Sequence, residues 1–142
     1  MSRPLPDDRL TLLAPTAITA AVTGAVGPVV RLRGGVHTLA VQAIFTYGSG
    51  GTTVKAWVQT SLDGGTTWVD VACFAFTTSS ARRISVLHLA TPAAANVTPS
   101  DGALADNTIL DGVLGDLIRV KYISTGTYAN TSLTLAALAK GV

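Results

Sequence analysis

The chain has 142 residues, which suits one domain and allows a sizeable buried core. Hydrophobic residues make up 48% of it and charged residues 13%, too few charges to coat a free monomer, so some apolar surface is expected to meet a partner. A net charge of +2, spread over scattered basic residues, gives no footing for nucleic acid or an anionic membrane as partner. All eight acidic residues are Asp, and Lys occurs only at positions 55, 121 and 140, whereas Thr, Val and Gly abound. The usual surface helix formers are thus scarce, and the composition favours strands and turns.

Residues 1–9 carry two prolines and four charges, which forbids a regular helix and predicts an extended N-terminal arm, either ordered on a neighbouring subunit or a frayed terminus, ahead of a domain at 10–142. The start has no apolar signal-peptide core, so synthesis in a cytoplasm is expected, and no later run is long enough for a transmembrane helix. From Leu10 to Leu32 the Ala-, Thr- and Val-rich sequence is broken by Pro15, Gly24, Gly27 and Pro28, which suits two or three short strands. Residues 38–47 then alternate, with Leu39, Val41, Ala43 and Phe45 on one face. After the turn at 48–51, residues 53–61 place Val54, Ala56 and Val58 on one face and Lys55, Trp57 and Gln59 on the other.

Residues 63–66 read as a tight hairpin turn, and 68–76 as its returning strand. A polar turn at 77–80 leads to another strand at 82–89. Regularity then stops: residues 90–116 hold Pro92, Pro99 and four Asp at five-residue spacing, namely Asp101, Asp106, Asp111 and Asp116. A loop of this length in a small domain reads as a functional excursion or carries a short strand. Pro92 argues against a substantial helix in the Ala-rich stretch 92–96. Strands at 117–124 and 132–140 are expected to close the chain as a hairpin around residues 125–130. The whole predicts an all-β fold: a single antiparallel β-sandwich or jelly-roll-like domain of about seven to nine short strands.

Chemistry finds little support. Cys73, the only cysteine, lies in an apolar run and reads as a buried, inert thiol. Nothing in the spacing brings His37 or His88 together with a nucleophile and a carboxylate, so no catalytic residue is assigned and no enzyme is expected. The four spaced Asp could offer oxygen ligands to calcium, but Asp101-Gly102 and Asp111-Gly112 are also ordinary turn dipeptides. No metal or cofactor is assigned. Trp57, beside Lys55 and Gln59, would suit a sugar-stacking platform, though with only eight aromatics in the chain a core or interface position is preferred.

The most specific local pattern is Ser61-Leu62-Asp63-Gly64-Gly65-Thr66-Thr67-Trp68. A short Asp can hold the turn's N–H groups, glycine permits the reversal and Trp folds over the hairpin. The pattern, carried by Ser61, Asp63, Gly65 and Trp68, resembles the Asp-box hairpin of sialidases and other β-propellers, where it repeats in every blade and stays remote from the chemistry. Here it occurs once, so the resemblance implies a stabilised hairpin, neither a propeller nor sialic acid hydrolysis. The element also looks like one found in small β domains of tailed-bacteriophage virion proteins. Residues 111–122, with Arg119-Val120-Lys121-Tyr122 followed by Thr125-Gly126-Thr127-Tyr128, are similar to the closing hairpin of phage structural β-sandwiches.

These resemblances imply a non-enzymatic virion protein, best matched in size by a capsid decoration (cement) protein that binds across neighbouring capsid subunits. They imply protein partners, the major capsid protein or other virion subunits; the low-charge surface, which needs cover, leads to the expectation of a homo-oligomer, trimer or dimer. Arg3, Pro4, Leu5, Pro6 and Arg9 of the arm, with Trp57, Arg82 and Arg83, are the candidate contacts. The rival reading is a carbohydrate- or receptor-binding module of a tail, fibre or cell surface, with Trp57 as its platform.

Overall fold

A computed structural model describes residues 8–89 and 95–141. It is an all-β molecule in which two antiparallel sheets pack face to face, consistent with a β-sandwich, and the described residues include no helix. Among the described residues eleven strands follow in order: β1 (Asp8–Ile18), β2 (Val22–Val26), β3 (Val30–Arg31), β4 (Val36–Thr46), β5 (Ser49–Gly50), β6 (Thr53–Ser61), β7 (Val69–Phe76), β8 (Ala81–His88), β9 (Leu117–Thr125), β10 (Tyr128–Ala129) and β11 (Thr131–Gly141). Three of the eleven, β3, β5 and β10, have only two residues.

Sheet A has the order β1-β11-β4-β8 and sheet B the order β2-β9-β6-β7, with β3 also on β9; β5 and β10 form a separate small pair. The alternation legible in the sequence sets the core. Leu39, Val41, Ala43 and Phe45 of β4, with Leu133 and Leu135 of β11, face Val54, Ala56 and Val58 of β6 and Ile118 and Val120 of β9. All are buried, and their removal from water is the main term favouring the fold. At one end, the Phe45 and Phe76 rings stack at 5.0 Å, and Tyr128 stands edge-on to Phe45 at 5.9 Å while its hydroxyl donates to the Thr77 carbonyl.

Three expectations need correction. The last two long strands do not form a hairpin: β9 belongs to sheet B and β11 to sheet A, joined through β10. Alternating strands around a polar turn look alike in sequence whether the chain folds back within a sheet or crosses to the opposite one. Here Gly126 (φ +78°) and Asn130 (φ +50°) let the connection cross. Next, 10–32 contains a long first strand as well as two short ones, and Asp8 and Arg9 open that strand as partners of Ala139 and Leu138. The rest of the expected arm, including Arg3, Pro4, Leu5 and Pro6, lies outside the described residues. Lastly, the long loop expected as an excursion is tied down: Ser100, Thr108 and Leu110 bond along β7 of sheet B, and Gly112 bonds His88 of β8.

Candidate functional site

The Asp-box pattern forms the β6–β7 turn, with its side chains satisfying the backbone that the reversal leaves open. Ser61 Oγ accepts from the Gly65 N–H at 2.8 Å and donates to Asp63 Oδ1 at 2.9 Å. Asp63 in turn accepts the Thr67 N–H at 2.9 Å and the Thr67 hydroxyl at 2.6 Å. These bonds, the Thr67 hydroxyl first, hold the exposed Asp63 carboxyl down at about 2. Gly64 and Gly65 adopt φ of +73° and +94°, where a side chain would be strained. Trp68 closes the turn, and the Arg119 guanidinium lies 4.3 Å from its ring centre.

The outer face of sheet B is covered by the chain itself. A β-bulge falls opposite Val58/Gln59, so Gln59 pairs with Asp70 whereas Val58 pairs with Ala72. Without that extra residue Asp70 would share the inward face of Ala72 and Phe74; the bulge turns it outward beside Gln59. There the fully buried carboxylate gathers residues 100–104. It accepts the N–H groups of Gly102 (2.8 Å), Ala103 (2.8 Å) and Leu104 (3.1 Å), the Ser100 hydroxyl (3.0 Å) and Gln59 Nε2 (2.8 Å). The hairpin turn itself uses Asp63, and Asp70 is left to residues 100–104.

Further bonds fasten this strap along β7. The Asp70 N–H donates to Ser100 O, Cys73 N–H to Thr108 O and Leu110 N–H to Val71 O, while Ala72 bridges Ile109. Beneath it, Arg119 Nε donates to Gln59 Oε1 at 2.8 Å, and Lys121 pairs with Asp101 at 3.0 Å. Asp101 is lowered by its bond from Gln59 and then by Lys121, whereas desolvation lowers Arg119. Cys73 is buried under the same cover, and desolvation raises its thiol to about 11.

Trp57 lies under this strap as well. It is only 4% exposed and donates its indole N–H to the Leu104 carbonyl at 3.0 Å. It is therefore neither an exposed stacking platform nor a surface available to a partner, and the alternation that suggested a wet face holds only until the strap is laid on it. The four spaced Asp do not converge. Asp101 pairs with Lys121, Asp106 with Lys55 and Asp116 with Arg31, and Asp111 accepts the His88 N–H. Among the described residues no group of three or more His, Cys, Asp or Glu could hold a metal ion. His37 and His88 flank the Thr38 hydroxyl at 3.0 and 3.3 Å, in hydrogen-bonding positions at the sheet surface.

Sheet A is the opposite case. No strap crosses its outer face among the described residues. Strand pairing aligns Arg9, Leu138, Ala40 and Val86 in one row and Thr11, Ala136, Gln42 and Ile84 in the next, with Ile44 beside Arg82. Ile84 is 60% exposed, Val86 39% and Ile44 38%. A shallow depression of about 580 Å³ lies between Arg9, Ala40, Gln42, Ile84, Ala136 and Leu138. By this alternation the face carries Arg9 and Arg82 at its margins and no acidic residue among those described. Of the predicted contacts it thus holds Arg9 and Arg82. Arg83 points the other way, with Nε donating to Ala75 O and its guanidinium over Phe76. Reasoning from sequence missed Ile44, Ile84, Val86 and Leu138, since an apolar residue on an alternating strand does not reveal whether its face is covered. No family model matches the chain, and neither does any curated protein or solved structure.

Proposed function

We propose that this protein is a non-enzymatic structural subunit that adheres to a larger assembly through the outer face of sheet A. One observation carries the reading: among the described residues, the chain covers sheet B with its own residues 100–110, yet leaves on sheet A an apolar centre with a basic margin. A complementary surface would be apolar and rimmed by carboxylates. In keeping with the virion resemblance of the 61–68 and 111–128 segments, the assembly we propose is a tailed-phage capsid, with this chain as a decoration protein on its surface. The mechanism is mechanical. A rigid sandwich bridges neighbouring shell subunits, and many modest contacts add up by multivalency.

Quantifying the chain against the major shell protein in purified particles tests the assignment. A fixed simple ratio is expected, while absence from particles would refute the virion reading. The face itself is tested by Ile44→Asp with Leu138→Asp, which should leave the purified domain folded and abolish attachment. Normal incorporation of that variant would exclude sheet A as the adhesive surface. Removing residues 1–7, short of the first β1 residue, tests the arm separately; a folded domain with weaker attachment is the expected result.

A further inference from the structure

Sheets terminate in edge strands whose unpaired backbone groups invite another strand, and proteins blunt such edges with bulges, prolines, short strands or covering loops. Three of the four sheet edges here are treated in that way. β1 carries two register shifts and Pro15; β2 has five residues and a register shift around Gly24; β7 is closed by Ser100, Thr108 and Leu110 of the strap. β8 differs: it is eight residues long and pairs with β4 without a register shift.

The direction of its free groups follows from one end. His88 donates its N–H to Asp111 Oδ1 at 3.0 Å and accepts the Gly112 N–H at 2.9 Å, so its backbone faces away from β4. Alternation gives Val86, Ile84 and Arg82 the same direction. Their N–H and C=O groups form a row that pairs with nothing among the described residues. The side chains of this row are the exposed Ile84 and Val86, with Arg82 at the far end. Beside it runs a groove of about 320 Å³ that reaches to Asn107 and Ile109 on the strap, and Ile109 is exposed too.

We propose that β8 pairs antiparallel with β8 of a second copy, joining two sheets A into one continuous eight-stranded sheet. The occupant must be an extended strand, because only a strand supplies alternating donors and acceptors at the spacing of this edge. The edge is self-complementary about its midpoint. A two-fold axis at Ile84 sets Ile84 against Ile84 of the second copy and Arg82 against Val86, so no two cations face each other directly. The pairing also places two basic-rimmed apolar faces side by side, so one dimer offers twice the adhesive area. It does not depend on which assembly that face meets.

Sedimentation velocity on the full chain should show a concentration-dependent dimer up to about 0.1 mM. Ile84→Pro is the selective probe, because the lost N–H points to the free edge and takes no part in the β4 ladder. It should weaken dimerisation at least about tenfold while circular dichroism stays unchanged. Amide exchange on the unaltered chain gives a second readout: the Ile84 and Val86 N–H groups should be protected in concentrated samples and exposed on dilution. A monomer at every concentration would overturn the proposal, as would a dimer that survives Ile84→Pro, which would place the contact on another surface. Edge amides that exchange fast in a dimeric sample would do the same.

Discussion

The buried carboxylate of Asp70 is the single group on which the cover of sheet B depends most. Replacing it with Ala would leave the N–H groups of Gly102, Ala103 and Leu104 and the Ser100 hydroxyl without an acceptor, and would take from Gln59 one of its two. A buried donor left unsatisfied costs about 1–3 kcal/mol, and more when its partner was ionised. Several such losses cannot simply be added, since residues 100–104 can lift and take water instead, so a total of about 3–5 kcal/mol is expected. For a chain of this length each kcal/mol moves the melting temperature by about 3 °C, which predicts a fall of about 10–15 °C. Asp70→Asn keeps the volume but turns an amide donor toward other donors, so it should cost nearly as much. Differential scanning calorimetry measures the fall, and amide exchange at residues 102–104 locates it. Trp57 emission should shift to the red as Leu104 withdraws from the indole. A melting temperature within about 2 °C of the unaltered chain, with exchange at 102–104 unchanged, would refute the claim that this carboxylate holds the strap.

Three further outcomes are expected. The Asp63 carboxyl should titrate near 2 by carbon NMR rather than at 3.8, and Thr67→Ala should return it toward the ordinary value. Because the folded value is depressed, the turn's contribution to stability is complete above 3.8 and fades as pH falls toward about 2, so acid unfolding of Asp63→Asn should lack that component. Cys73, buried and with its thiol raised to about 11, should resist thiol reagents at pH 8 until denaturant is added; modification within minutes of the native chain would contradict its burial. Gly115→Ala would drive a methyl group into the Ser61 carbonyl beside the hairpin and should cost more than about 3 kcal/mol in a urea titration, whereas a neutral result would mean the 115–117 segment is not held against β6 as described.

Much of the fold was legible in local signals. Period-two alternation marked β4, β6 and β11, because a half-buried strand must separate its apolar and polar residues by face. The Asp63-Gly64-Gly65 turn was legible for an equally local reason: its hydrogen bonds span four residues or fewer. What the sequence could not yield was the sheet to which each strand belongs. β9 and β11 carry the same alternating pattern, and both place their apolar residues in the same core from opposite sides. A turn that crosses between layers and one that doubles back differ in backbone angles, not in any residue requirement strong enough to read.

The candidate site was less legible still, because coverage is a tertiary property. Trp57 and Ile84 both stand on the outward face of a strand, yet one is buried and the other 60% exposed. The difference is made by residues 100–110, distant in sequence, and by one bulge in β7 that turns Asp70 out to hold them. Neither the bulge nor the return of the strap has a local signature. The sequence by itself determined the strands, the core face of each and the Asp63 hairpin, since those follow from neighbours along the chain. Only the tertiary structure decided which sheet stays bare among the described residues, because that depends on which distant segment finds backbone partners along an edge.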